Sequence, residues 1–236
     1  MPMKLYTLKK CTLITNILLA TIPITSYAGR PMVVDDAALV SSRSCQLETW
    51  MQRNQHNKEF WAVPACNIGG NFELAVGIGH LNSDSDHNSF ASLQGKTLIK
   101  PLETNDWGIG FSFGTQINTK TTSHQDFFIN LPMSLSILDD RFIFHTNFGW
   151  IHENHSQKNS TTWGIGTEAS ISSPFSLTAE IYGNDRNDSF FQTGFRYMLY
   201  KDSIQLDASY GNQFSHLKDS SFFSIGFVFL TTPFLP

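Results

Sequence analysis

Beyond its first 28 residues this 236-residue chain has no run approaching 18 consecutive apolar residues, and charged residues make up only 15% of it. The first absence excludes a membrane-spanning helix, which needs about 20 such residues. The second is unlike a water-soluble domain, where about a quarter of residues carry charge. Basic side chains are outnumbered, 16 against 20 acidic. That excludes nucleic acid as a partner, because phosphate binding needs a basic footprint. Cysteine is scarce, with only Cys11, Cys45 and Cys66 present. Two thiols beyond the leader, with no further ligands near them in sequence, make no metal site, and no cofactor is expected. What is abundant is phenylalanine, at 20 residues.

Residues 1–28 read as a secretory signal peptide. Lys4, Lys9 and Lys10 form a basic start, Cys11–Ile24 is mostly apolar, and Ser26-Tyr27-Ala28 offers small residues before a cut at Gly29. Removing those three lysines leaves 13 basic against 20 acidic residues, a formal charge of −7 on Gly29–Pro236.

From Asn71 onward the chain alternates with a period of two, the signature of strands. Trp107, Ile109, Phe111, Phe113 and Ile117 interleave with Gly108, Gly110, Ser112, Gly114, Gln116 and Asn118. One parity is large and apolar, and the other is small and polar with little charge. A soluble sandwich would place charge on its outer face. The pattern here is that of a strand whose apolar face meets lipid and whose other face lines a crowded or wet lumen. Counting this way predicts twelve strands, two at about Cys45–Arg53 and Glu59–Cys66 and ten more between about 71 and 229. The connections support the count: short turns such as Asp139-Asp140 and Lys201-Asp202 alternate with longer polar loops such as Asn82–Ser89 and His152–Ser160. Short periplasmic turns and long outer loops are the rule in outer-membrane barrels. The expected fold is therefore all-β, a transmembrane antiparallel up-and-down barrel over residues 45–236. Residues 29–44 precede it as a periplasmic segment or a plug. Outer-membrane lipid is the expected surround, and the outer membrane the expected location.

Register follows from the turns. A hairpin tip at Asn54–Asn57 sets Cys45 opposite Cys66 and Trp50 opposite Trp61, and in an oxidising compartment the cysteines are expected to form a disulfide. The ionisable residues of the inward parity are Glu73, Lys96, Lys100, His145, Glu168, Glu180, Arg196 and Asp207, with Arg196 opposite Asp207 across the Lys201-Asp202 turn. They form either a self-satisfying structural network or a lined pathway. Ser134 falls opposite His145 with Asn147 on the same face, the pairing a nucleophile and base would need. His56, His80, His87, His124, His152, His155 and His216 gather in or near the outer loops. Polar loops collect histidine anyway, and no metal site is assigned. The three Gly-Ile-Gly repeats, at 77–79, 108–110 and 164–166, lack the strand-turn-helix setting of a phosphate loop. They are read as inward glycines that make room in a crowded lumen.

The opening of the secreted chain carries a resemblance. Arg30-Pro31, Asp35-Asp36-Ala37, Cys45-Gln46-Leu47-Glu48-Thr49-Trp50 and Phe60-Trp61-Ala62-Val63-Pro64-Ala65-Cys66-Asn67 follow one another within about 45 residues. This order resembles the outer-membrane barrels grouped as the MetA-pathway of phenol degradation family. The resemblance implies an outer-membrane location and passage of small aromatic or hydrophobic compounds, and it assigns no catalytic residue. The leading expectation is a non-enzymatic barrel that admits or binds a small solute through a narrow or gated lumen. A structural or surface-interaction barrel with a filled lumen comes second, and an outer-membrane hydrolase third.

Overall fold

Wherever the chain alternates, it forms a strand. A computed structural model describes residues 29–83, 87–120, 125–154, 156–186, 188–200, 203–215, 217 and 220–235. Residues 1–28, read above as a signal peptide, the turn Lys201-Asp202, and His124, His155 and His216 lie outside the described residues. The strands are β1 (Cys45–Arg53), β2 (Asn57–Asn67), β3 (Phe72–Ser83), β4 (His87–Lys100), β5 (Trp107–Asn118) and β6 (Gln125–Ile137). They continue with β7 (Phe142–Glu153), β8 (Lys158–Ser172), β9 (Phe175–Asn184), β10 (Ser189–Tyr200), β11 (Ile204–Gln213) and β12 (Phe222–Leu230). Each pairs antiparallel with its neighbours in sequence. β1 closes on β12 with Gln46 opposite Leu230, so the sheet is a closed barrel without edges.

The barrel is inverted relative to a soluble protein. Phe148 is 63% exposed and Ile78 66%, whereas Asp207 is 0% and His145 1% exposed. Val76, Phe127, Ile129, Met133 and Phe227 join the exposed set, and Ser112, Ser134, Glu180 and Arg196 the buried one. A continuous apolar band outside and polar groups inside is the arrangement that lipid selects. Trp107 at the short-turn end, with Trp150, Trp163 and Tyr210 at the long-loop end, stands exposed where aromatic girdles meet headgroups. Strands of 9 to 15 residues suffice to cross a bilayer when tilted.

The register agrees with the turn arithmetic. Cys45 faces Cys66 and the two form a disulfide. Trp50 faces Trp61, Ser134 faces His145, and Arg196 faces Asp207. One inward assignment is corrected. The register of β4 shifts between Leu98 and Lys100. Lys100 therefore leaves the lumen for the short-turn rim, where its ammonium bonds Asp106 at 2.5 Å and sits 4.4 Å from the Trp107 ring centre. That bond, with the Trp107 amide, holds the Asp106 carboxyl below the usual carboxylate range.

Candidate functional site

The lumen is occupied by the chain's own N-terminal segment. Val34, Ala37 and Val40 are 4%, 0% and 5% exposed, although the wall around them is polar. Such a segment has backbone amides and carbonyls that no strand pairs, and each buried one needs a partner. The inward side chains supply them. Glu180 accepts the Val33 amide at 2.9 Å on one oxygen and the Val34 amide at 2.8 Å on the other. Asn147 accepts from the Asp35 amide at 2.8 Å and donates to the Asp35 carbonyl at 2.7 Å. Ser134 Oγ accepts the Ala37 amide and Glu73 the Val40 amide, at 2.8 and 2.7 Å. Arg196 donates to the Gly29 and Arg30 carbonyls, both at 2.7 Å, and Gln192 donates to the Pro31 carbonyl.

Charge is matched in the same way. Arg30 donates to Asp207 at 3.2 Å and to Ser224. Lys96 holds Asp35 and Asp36 at 2.7 Å each. Burial pushes the Asp36 carboxyl above its ordinary value; Lys96 opposes the shift and Asp35 adds to it. Arg196 pairs with Glu168 rather than with Asp207, its partner across the strands. A guanidinium from the segment has taken the carboxylate that register alone would give to Arg196.

Of the eight inward ionisable residues read from sequence, five contact the segment directly: Glu73, Lys96, Glu180, Arg196 and Asp207. His145 and Glu168 sit behind them, and Lys100 lies at the rim. Gln192 and Gln205 also bond the segment, at the Pro31 and Arg30 carbonyls. The same parity rule reaches both; being uncharged, they carry no sequence signal that marks a contact. The glycine repeats also acquire a reason. A side chain at Gly164 would meet Val34 Cγ2 at 2.6 Å, and one at Gly166 would collide with Met32. Gly79 lies beneath the Trp61 ring, 2.6 Å from where a Cβ would stand.

Ser134 Oγ lies 2.8 Å from His145 Nδ1, and His145 Nε2 lies 3.2 Å from Glu168 Oε1. The row resembles a nucleophile, base and orienting acid. Its Ser oxygen accepts the Ala37 amide, its Glu is shared with Arg196, and its members are 3%, 1% and 7% exposed. Through these bonds the row links the Ala37 amide to Arg196, which in turn holds the Gly29 and Arg30 carbonyls. Among the described loop histidines, His80 stacks on His87 at 6.4 Å and His152 bonds Asn159. No group of three or more His, Cys, Asp or Glu among the described residues could hold a metal ion.

The segment does not fill the barrel. Most of its bonds run to β6–β11, and a cavity of about 760 Å³ remains, lined on β1–β4 by Glu48, Trp50, Gln52, Glu59, Trp61, Ala65, Glu73 and Gln94. It reaches from Asn184 and Asp188 at the long-loop end to Val40 and Ala65 near the short turn after β2. Trp50 and Trp61 stack at 5.8 Å on this wall, and Tyr182 and Phe190 stack at 5.5 Å on β9 and β10.

The sequence matches the family described as "Uncharacterised conserved protein UCP029691" over residues 17–227. The chain belongs to that family. No curated protein sequence matches it. Among solved structures it is similar to the KdgM porin, at 8% identity with a TM-score of 0.65, covering 79% of this chain and 99% of the porin. The NanC porin gives 11% identity and a TM-score of 0.60, covering 78% and 98%. The COG4313 outer membrane channel from Pseudomonas putida F1 gives 10% and 0.57, covering 84% and 98%. A KdgM porin has also been solved in complex with disordered oligogalacturonate, at 9% identity and a TM-score of 0.63, covering 80% of this chain and 99% of that one. At such identities the likeness establishes the fold, that of outer-membrane porins.

Proposed function

We propose that this protein is a non-enzymatic outer-membrane channel that passes small solutes along its β1–β4 wall, beside an N-terminal segment held mostly on the far wall. The cavity of about 760 Å³ beside the segment carries this reading, because it extends toward both ends of the barrel. Its volume lies within the range of small-molecule sites, roughly 300–1,000 Å³. Sharing a fold with porins and a channel supports passage, and the segment's bonds support a narrow path rather than a wide water-filled pore. The resemblance of the opening residues to barrels of the phenol-degradation family, together with the half-buried Trp50 and Trp61, supports solutes with an aromatic or apolar body. A structural barrel with a filled lumen is the second reading. What favours it is how many inward side chains are committed to the segment.

The test compares the mature protein with a variant lacking residues 29–44 in planar bilayers and in liposome swelling with a small neutral polyol. The expected result is slow polyol passage through the mature protein and several-fold larger conductance in the variant. No passage through either, with heat-modifiable gel mobility showing that both barrels are folded, would overturn the channel reading in favour of the structural one.

A further inference from the structure

The passage has a sign as well as a size. Five carboxylates line the cavity, Asp35, Glu48, Glu59, Glu73 and Asp188, against two cations, Arg30 and Lys96. Both cations are already engaged, Arg30 with Asp207 and Lys96 with Asp35 and Asp36. The other four carboxylates are held by neutral donors. Glu48 accepts from Gln46 at 3.2 Å, Glu59 from Trp61 at 3.4 Å and Glu73 from the Val40 amide at 2.7 Å. Asp188 accepts from Asn184 at 3.3 Å and Gln213 at 3.2 Å. A neutral donor positions a carboxylate without neutralising it; Glu48 also lies within the field of Arg30 and Glu73 within that of Lys96, which leaves Glu59 and Asp188, toward the long-loop end, held by neutral donors alone.

These carboxylates bracket aromatic surface. On β1 and β2 the order from the long-loop end is Glu59 opposite Gln52, then Trp61 opposite Trp50, then Glu48 opposite Val63. Trp61 extends the stack to Phe90 at 6.1 Å, over the space Gly79 leaves open. Across the barrel Asp188 stands just above the Tyr182–Phe190 stack. A solute entering from outside thus meets carboxylates, then ring faces, then carboxylates again. Ring faces are negative at their centres and attract cations. The segment itself uses this: the Arg30 guanidinium lies 4.7 Å from the centre of the Trp50 ring.

We propose that the passage selects small organic cations, amines or guanidinium compounds with an apolar or aromatic body, over anions of equal size. This rests on the channel reading. It sets the chain apart from the porin solved with oligogalacturonate, an acidic sugar chain.

The test is flux into liposomes of agmatine, glutarate and a neutral polyol of similar length through the mature protein, with reversal potentials in a KCl gradient as a second measurement. A single-sign lining raises local counter-ion concentration about tenfold or more, so agmatine is expected to pass about tenfold faster than glutarate. That preference should fall at high salt, where screening shortens the field. Glu59→Gln, close to the long-loop rim, should lower the ratio of agmatine to glutarate flux several-fold. Polyol passage with agmatine and glutarate equal, or with glutarate ahead, overturns the selectivity and leaves the channel intact. Passage of none of the three overturns the channel reading and the selectivity with it.

Discussion

Arg30, which precedes the barrel, and Asp207, on its eleventh strand, form a buried ion pair at 3.2 Å across 177 positions of sequence. The pair ties the start of the lumen segment to the wall. Removing one partner leaves the other charged and buried, a loss of about 3–5 kcal/mol where the pair is fully enclosed. Arg30→Met and Asp207→Asn are each expected to loosen the segment and raise single-channel conductance. Because the residues act together, the double variant should lose less than the sum of the two. Strict additivity in thermal unfolding would mean that the pair is not formed.

The inward glycines of β8 yield a second prediction. Gly164 faces Val34 across a gap that a side chain would close to 2.6 Å. Gly164→Leu should displace the segment while the barrel still folds, giving larger conductance with unchanged heat-modifiable mobility. Gly69→Ala, with nothing within 4 Å of the added Cβ, is the neutral control.

The disulfide closes the first hairpin, where the segment enters the barrel. Cys45 and Cys66 are 21 positions apart, and closing such a loop contributes roughly 3 kcal/mol in the chain-entropy model. Peptide mapping without reductant should recover the two cysteines linked. The double Cys→Ser variant should unfold at lower denaturant concentration than the parent.

Ser134 separates a structural relay from a catalytic one. Ser134→Ala removes the acceptor of the Ala37 amide and a partner of His145, and a buried group left unpaired costs about 1–3 kcal/mol. The expected outcome is a looser segment, read as noisier or larger conductance, with no change in any ester hydrolysis by the purified protein. Hydrolysis by the parent that the variant loses would restore the enzymatic reading.

Much of the fold is legible from residue order because a strand has only two faces. A period-two pattern assigns the side chains of the regular strands beyond Asn71 to lipid or lumen, and a two-residue turn fixes which residues oppose each other. Turn position alone therefore sets Ser134 against His145 and Arg196 against Asp207. The rule fails where the strand itself is irregular. The shift between Leu98 and Lys100 carries Lys100 out of the lumen, and no composition signal marks it.

The sequence by itself determined the barrel, its inverted faces and its polar interior, since these follow from local alternation and turn length. Only the tertiary structure decided what occupies that interior. Residues 29–44 have no period, and their partners are scattered along the chain, from Glu73, 33 positions from Val40, to Glu180, which meets the Val33 and Val34 amides about 147 positions away. Buried backbone must find partners wherever folding brings them, and closure of the barrel brings β6–β11 to one side of the segment. The space left along β1–β4 exists because most of the segment's bonds run to the opposite wall, with Glu73 and Lys96 holding it from the near side.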